Sequence, residues 1–285
     1  MSPAADRVVF STECVTIGAF RCAPDHPSFR NSGPIRDDCF VFPRTTVVIQ
    51  HGNARPFVAD PTIVTLYNRQ QQYERRAVSA DGDRCDWFAV SPDLLRDAVL
   101  FRDPAAADDE RPIRFTHAPA DAVTYLAQRR LFVEASTSGD AEPLDVEERV
   151  VALLGRVLNL AYGRERARSS GQRLPHASEL ADAAKRWVAP RVTQRLTLTR
   201  IAGALGCSAF HLCRSFHRAT GLTLHAYRDE VRLRLGLERL EDGESDLSRL
   251  ALDLGYSSHS HFTAAFHRSF GTPPSRARKL LIVRA

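Results

Sequence analysis

The sequence has no long apolar run, no recognisable secretory-leader pattern and no closely paired cysteines. Nowhere do about 18 apolar residues follow one another, so we expect no helix that spans a membrane. The first residues lack a charged segment followed by an apolar one, so we expect no export signal. The six cysteines lie at positions 14, 22, 39, 85, 207 and 213 and form no CxxC pair. A reduced cytoplasm is therefore the expected compartment.

The last third of the sequence contains the same pattern twice. Apolar anchors and glycines recur at a separation of 49 or 50 residues, and the matched pairs are Ile201 and Leu250, Ala202 and Ala251, Gly206 and Gly255, Leu212 and Phe262, Phe216 and Phe266, and Gly221 and Gly271. Repetition at this period indicates one supersecondary unit used twice. Each copy has the helix–turn–helix pattern. Two copies in one chain predict DNA binding rather than a helical bundle alone.

Each copy predicts two helices around a glycine turn. In the first copy, Gly206 suits the left-handed position after a helix, and Ser208 suits the N-cap of the next helix. In the second copy, the predicted cap is Ser257 or Ser258. Residues 226–241 contain no proline and a single glycine, which predicts a rigid helix between the copies. The face of each second helix opposite its apolar anchors is the one that enters the major groove in such motifs.

Most of the positive charge lies in the same part of the chain as the repeat. Residues 176–285 carry a formal net charge of +7, residues 163–175 carry +3 and residues 1–162 carry −5. Nearly all of the basic residues are arginines. A basic surface alone does not indicate DNA binding, because such surfaces are often only solvated. Beside the repeat, however, the charge lies where attraction to DNA phosphates requires it.

Residues 176–280 resemble transcription regulators of the AraC/XylS type. The resemblance is strongest over residues 251–262, followed by Phe266 and Gly271, and residues 221–228 fit the family's ending for a repeat. It implies a seven-helix domain whose two recognition helices enter successive major-groove faces on one side of the duplex. It also implies that each recognition helix carries base readers, which are Phe210, Cys213 and Arg214 in the first copy and His259, Ser260, His261, Thr263 and Ala264 in the second.

Phosphate contacts are expected beside the base readers, where they fix the register of the protein on the duplex. The residues predicted to make them are Ser208, His217, Arg218, Ser258 and Arg268. The predicted function is transcription regulation, as activator or repressor, through a site in double-stranded DNA. Because the two base-reading faces differ, this site is expected to be asymmetric. RNA polymerase is the expected further partner of an activator. The alternative is an architectural protein that binds DNA without sequence preference.

The sequence before the repeat is typical of a β domain followed by helices. Short β-branched and aromatic runs are separated by turn residues, and they lie at residues 40–42, 45–49, 62–67 and 86–90. This spacing predicts a β-sandwich or barrel, and the family resemblance implies a cupin-like barrel. Residues 119–136 and 143–162 then predict two helices.

The predicted fold class is therefore α+β, with two domains. Residues 1–162 form a sensor and dimerisation domain, which is a cupin-like barrel followed by two helices. Residues 163–175 are polar, contain four arginines and form a linker. Residues 176–285 form an all-α DNA-binding domain with two helix-turn-helix units. The barrel is expected to respond to a small-molecule effector.

The helix predicted over residues 143–162 has a broad apolar stripe from Val146 to Ala161. Such a stripe must be covered by other apolar surface. Two interpretations remain open at this point. The chain's own barrel covers the stripe, or a second copy of the chain covers part of it and the protein is a homodimer.

No set of residues in the sequence points to an enzyme. Metal-dependent cupins present clustered histidines and glutamates along adjacent strands, whereas this region shows only His51 near a strand end. We therefore expect no catalytic activity, no cofactor and no metal. A thiol- or metal-responsive regulator is the second alternative, with Cys14, Cys22, Cys39 and Cys85 as its candidate residues. A fused DNA-repair alkyl acceptor is disfavoured, because it resembles a tight four-cysteine zinc cluster.

Overall fold

The computed structural model describes residues 5–30, 33–106, 109–137, 142–169 and 175–281. The chain forms two compact units, Met1–Gly171 and Gln172–Ala285. The first is a mainly β unit with helices, and the second is helical, as the sequence predicts. None of the described helices is long and apolar enough to cross a membrane.

The described part of the N-terminal unit contains nine strands, which are β1 (Ala5–Ser11), β2 (Val15–Cys22), β3 (Asp38–Pro43), β4 (Val47–His51), β5 (Phe57–Ala59), β6 (Ile63–Tyr67), β7 (Tyr73–Ala77), β8 (Asp83–Val90) and β9 (His117–Pro119). The same part of the chain contains three α-helices, which are α1 (Pro92–Leu100), α2 (Ala122–Thr137) and α3 (Pro143–Ser169). The four predicted runs correspond to β3, β4, β6 and β8. The two predicted helices correspond to α2 and α3.

The strands form two antiparallel sheets, and within the described residues neither closes into a barrel. The larger sheet has the order β1-β2-β8-β3-β6-β9, and the smaller sheet has the order β5-β4-β7. Each sheet therefore ends in two edge strands. The alternation of side chains along each run specifies two faces, but the pairing partners lie far apart in the sequence and are not specified locally. The predicted cupin-like barrel is not confirmed, because two open sheets take its place.

A buried ion pair joins the larger sheet to α2. Side chains of β8 alternate in direction, and Asp86 points toward α2. Its carboxylate accepts hydrogen bonds from Gln128 Nε2, at 2.7 Å, and from the Arg129 guanidinium. Asp86 is 1 % exposed, and neither α2 residue is exposed at all. The position of α2 on the sheet thus depends on charged groups that are shielded from water.

The apolar stripe of α3 is covered by the chain itself. Its members are at most 5 % exposed, and they are Val146, Val150, Leu153, Leu154, Val157, Leu158 and Ala161. α3 contacts α1, α2 and β9. The interpretation that a second copy covers this stripe is therefore wrong.

α3 also continues to Ser169. The first part of the predicted linker is thus helical, while residues 170–174 of that linker lie outside the described residues. The predicted division into a sensor domain, a linker and a DNA-binding domain stays a prediction.

His51 is buried at the end of β4 and is 5 % exposed. The centroid of its ring lies 4.6 Å from that of Tyr67 and 5.5 Å from that of Phe57. Neither of its ring nitrogens has a hydrogen-bond partner among the described residues. Burial lowers the pKa of His51 from 6.5 to about 4, because the charged imidazolium loses its hydration.

We expect His51 to make the stability of the N-terminal unit depend on pH. Its pKa is lower in the folded state than in the unfolded chain, so the unfolded chain takes up the proton first as the pH falls from 6.5 towards about 4. The contribution of neutral His51 to the free energy of unfolding is complete above pH 6.5 and is lost as the pH falls to about 4. Relative to His51→Phe, the wild-type free energy of unfolding should fall by about 3 kcal/mol over this range. Urea unfolding at a series of pH values measures this difference, and parallel curves would contradict it.

The described part of the C-terminal unit contains seven α-helices, as the family resemblance implies, and they are α4 (Pro175–Val188), α5 (Leu198–Ala204), α6 (Ala209–Thr220), α7 (Leu224–Glu241), α8 (Leu247–Asp253), α9 (His259–Phe270) and α10 (Pro274–Leu281). α5 and α6 form the first copy of the repeat, and α8 and α9 form the second. α7 is the predicted connecting helix. It begins after Thr223, whose hydroxyl accepts from the amide of Ala226 at 3.1 Å.

Candidate nucleic-acid interface

The two copies of the repeat have the same turn geometry. The first helix of each copy is followed by a glycine with positive φ, Gly206 at 65° and Gly255 at 81°. Ser208 and Ser258 then cap α6 and α9, and each hydroxyl accepts from the amide three residues later at 3.2 Å. Of the two predicted caps in the second copy, Ser258 is the one used. Both α6 and α9 end at a left-handed glycine, as the sequence predicts.

α6 presents its predicted base readers on one exposed face. Cys213, Arg214 and His217 lie three, four and seven positions after Phe210, which places all four on the same side of the helix. All four are exposed, whereas the apolar anchors on the opposite side are fully buried. Phe210 is 74 % exposed, and its ring is suited to apolar contact with a thymine methyl group. The Arg214 guanidinium is suited to a bidentate contact with a guanine edge.

α9 carries a different set of groups on the equivalent face. His259, Ser260, His261 and Ala264 are exposed, and Thr263 is half-buried. Two of these side chains are already linked, since Thr263 Oγ1 lies 3.2 Å from His259 Nε2. That contact leaves His259 Nδ1 as the ring nitrogen open to a base. Ala264 offers only a methyl group, which again suits a thymine methyl.

His261 is held in place from two sides. Its Nδ1 lies 3.1 Å from Ser257 Oγ, and its ring packs at 88° against the Tyr256 ring with 5.3 Å between centroids. The other nitrogen, Nε2, is not engaged in either contact. Ser257, which does not cap the helix, thus positions a predicted base reader.

The predicted phosphate ligands are exposed beside these faces. Arg218 and Arg268 lie in the last turns of α6 and α9, and His217 is exposed in the last turn of α6. The Ser208 and Ser258 oxygens accept from the backbone, and each hydroxyl keeps its own hydrogen to donate. The fold therefore brings the predicted DNA-contacting residues to the surface of two similar helices.

A pair of arginines makes equivalent contacts in the two copies. Arg228 lies 50 residues before Arg278, as Gln194 lies 50 before Glu244. The Arg228 guanidinium donates to the carbonyl of Gln194, just before α5. The Arg278 guanidinium donates to the carbonyl of Glu244, just before α8, at 3.4 Å. Each copy of the repeat therefore includes a hydrogen bond that holds the segment before its first helix, and no local pattern in the sequence indicates this bond.

A second hydrogen-bond network joins the turn in the second copy of the repeat to the segment before the first copy. Tyr256 follows Gly255 and donates to Asp229 Oδ1 of α7 at 2.7 Å. Arg232, also on α7, donates to the carbonyl of Thr193 at 3.2 Å. Gly255 fits against this joint closely, because a Cβ there would lie 2.3 Å from the Thr193 oxygen. Burial, followed by the bond to Asp229, raises the pKa of Tyr256, which keeps its hydroxyl a donor.

The four N-terminal cysteines do not come together at one place: Cys39 and Cys85 share one apolar cluster, Cys22 lies in another, and Cys14 is exposed. Cys14 is exposed, Cys85 is half-buried, and Cys22 and Cys39 are buried, all as free thiols. Burial raises the pKa of the three that are not exposed, which disfavours the thiolate used in redox and metal chemistry. Among the described residues, no group of three or more His, Cys, Asp or Glu side chains could hold a metal ion. The thiol- or metal-responsive alternative thus gains no support from their placement.

Comparison with known proteins gives matches that include the repeat. A family model described as a helix-turn-helix domain matches residues 201–280. Regulatory protein SoxS of Escherichia coli strain K12 is 34 % identical over 95 residues, which are 33 % of this chain and 89 % of SoxS. SoxS of Salmonella typhimurium matches to the same extent.

Two further matches are more distant. The bifunctional transcriptional activator/DNA repair enzyme AdaA of Bacillus subtilis is 25 % identical over 116 residues, which are 41 % of this chain and 54 % of AdaA. A crystal structure of an apo ToxT variant from Vibrio cholerae strain SCE256 covers 95 % of this chain and 99 % of its own, at 11 % identity and a TM-score of 0.42.

Proposed function

Because the chain belongs to the AraC/XylS-type family of DNA-binding transcription regulators, we propose that it reads an asymmetric site with two unlike recognition helices. α6 and α9 enter two major-groove faces on one side of the duplex, about one turn or 34 Å apart. The base readers are Phe210, Cys213 and Arg214 on α6 and His259, Ser260, His261, Thr263 and Ala264 on α9. Ser208, His217, Arg218, Ser258 and Arg268 hold the phosphates.

The observation that carries this proposal is the contrast between the buried and exposed sides of the two helices. The caps and the terminal glycines are the same in both copies. The exposed faces differ, with an aromatic ring and a guanidinium on α6 and two imidazoles on α9. One half-site read twice would need similar faces. Two unlike faces fit two different half-sites in a fixed order.

The two arginines on α6 and α9 should separate base reading from phosphate binding. Arg214→Ala should cost about 1–3 kcal/mol of binding free energy and relax specificity at one base pair. Arg268→Ala should weaken binding to all sequences alike and reduce its dependence on salt. Sites are first selected by the wild-type protein from a random duplex library. Dissociation constants are then measured on the selected site and on its single-base variants.

The same measurements also distinguish sequence-specific reading from the alternative of an architectural protein. Equal losses on every sequence for Arg214→Ala would contradict its assignment to a base. A ratio of specific to non-specific affinity near one for the wild-type protein would favour an architectural protein and overturn sequence-specific reading.

We further propose that residues 1–162 act as a sensor that responds to a small-molecule effector. Residues 163–175 connect the sensor to the DNA-binding domain at 176–285, and the protein acts in the cytoplasm, on RNA polymerase if it is an activator. A homodimer would need a surface other than the buried stripe of α3. The repair activity in the name of AdaA is not proposed for this chain, because no three of its described cysteine, histidine or acidic side chains come together as a metal-binding group.

A further inference from the structure

A cavity of about 370 Å³ lies between the two sheets of the N-terminal unit. Strands of both sheets line it, so that its walls are the inner faces of the sandwich. This volume is within the range of pockets that hold small molecules. Most of the side chains in its interior are apolar.

Aromatic rings form a large part of the wall. Phe20 and Trp87 come from the larger sheet, as does Tyr67, while Tyr73 comes from the smaller one. The Tyr67 and Tyr73 rings pack edge to face, with 5.3 Å between centroids. Trp87 lies over Gly18 of the paired strand, where no side chain competes for the space. Such a wall favours a flat aromatic ligand, because rings stack and pack edge to face with other rings.

The buried charges in the wall neutralise one another. Arg75 and Asp83 are the lining residues of the described chain that are both charged and buried, and their side chains pair at 2.5 Å. The Arg75 guanidinium also lies over the Phe20 ring, 4.3 Å from its centroid. Burial is the largest single influence and lowers the pKa of Arg75, but Asp83, Tyr73 and Cys85 together outweigh it, so the net pKa is raised. The guanidinium is thus charged and already balanced.

Apart from Arg75 and Asp83, the charged lining residues that the structure describes lie where the cavity meets solvent. Asp6, Arg36 and Asp37 are exposed there. Asp6 accepts from the indole N–H of Trp87 at 2.8 Å. A ligand inside the cavity therefore meets no uncompensated buried charge. A charged ligand would lose its hydration there without gaining a counter-charge.

We propose that this cavity binds a neutral, largely apolar aromatic molecule. The inference rests on the proposed function, since it names the ligand class of the proposed sensor. The aromatic rings pack against the ligand, and the paired Arg75 and Asp83 leave no partner for a carboxylate or an ammonium group. Removing the negative member of that pair would turn the preference toward anions.

Three probes with one ring system test the proposal on the full chain. They are indole, its anionic analogue indole-3-acetate and its cationic analogue tryptamine, each titrated by calorimetry at pH 7. Indole should bind at least about tenfold more tightly than either charged probe. Tighter binding of a charged probe, equal binding of all three, or no binding of indole would overturn the proposal.

Two variants locate the binding in the cavity. Asp83→Asn should strengthen binding of indole-3-acetate by about tenfold or more, because Arg75 then lacks its carboxylate. Ala89→Leu adds a bulky side chain to the wall and should abolish indole binding, while Ala54→Leu makes the same change in an exposed loop and should not. Unchanged indole binding by Ala89→Leu would overturn the site. If Asp83→Asn does not fold, the Ala89→Leu comparison still decides.

DNA binding of the same preparation is measured in parallel on the selected duplex. Failure of indole binding with intact sequence-specific DNA binding overturns only the ligand class. Failure of sequence-specific DNA binding overturns the proposed function instead.

Discussion

Replacing Phe266 by alanine should unfold the DNA-binding unit or bring it close to unfolding. The Phe266 ring has no exposed surface and packs between Phe262 and Phe270, with centroids 5.6 and 4.6 Å away. Truncating such a ring removes its contacts and leaves a cavity, at a cost of about 3–5 kcal/mol. That cost is a large share of the total stability of a domain, about 5–15 kcal/mol. Sequence-specific DNA binding should be lost with the fold.

Phe210→Ala is the matched control, because it makes the same chemical change on the exposed face of α6. Its free energy of unfolding should change by no more than about 0.5 kcal/mol, while its preference among DNA sites changes. Urea unfolding is followed by the fluorescence of Trp187 in a Trp87→Phe background, since the chain has two tryptophans. Similar stability losses for the two variants would show that α9 is not anchored by Phe266.

Asp86→Ala should destabilise the N-terminal unit by about 3–5 kcal/mol. The substitution removes the carboxylate that accepts from both Gln128 and Arg129. The guanidinium of Arg129 would then stay in a place without solvent and without this counter-charge. Coulomb attraction is strong in such a place, and losing one partner costs more than the intact pair contributes. Unfolding is followed by the fluorescence of Trp87 in a Trp187→Phe background.

The control for this variant is Asp93→Ala, which breaks an ion pair on the surface. Asp93 lies 3.1 Å from Arg96, with 90 % of its side chain exposed. Such pairs contribute about 0–1 kcal/mol. If Asp86→Ala were no more harmful than Asp93→Ala, the buried pair would not fix α2 on the sheet.

The DNA-binding unit could be predicted in detail because its determinants are local. A glycine such as Gly221 ends a helix by its own backbone freedom, and Ser208 caps the next one with its own side chain. The spacing of Phe262 and Phe266 places both on one face without reference to the rest of the chain. The four helices of the repeat, the connecting helix and the two exposed faces follow from these signals, whereas the count of seven helices is implied only by the family resemblance.

The N-terminal unit could be predicted only in part because its determinants are not local. The runs in β3 and β6 indicate strands, but nothing in them says that the sheets stay open. Arg75 and Arg129 read as surface residues in the sequence and are buried in the structure, each with a carboxylate from β8. Their partners become visible only once the strands are paired. The hydrogen bonds of Arg228 and Arg232 to distant carbonyls could not be predicted from the sequence for the same reason.

Under the proposed function, the length of α7 sets how far apart the two half-sites can lie. One residue inserted into a helix turns everything after it by about 100° and moves it by about 1.5 Å. In α7 such an insertion would swing α9 away from the groove that α6 faces and would pull Tyr256 from Asp229. If α6 and α9 read two half-sites as proposed, the distance between those half-sites is therefore fixed by the length of α7. DNA sites with a different distance between half-sites would have to be bound by other regulators. A change of base at an unchanged distance needs only new side chains on α6 or α9.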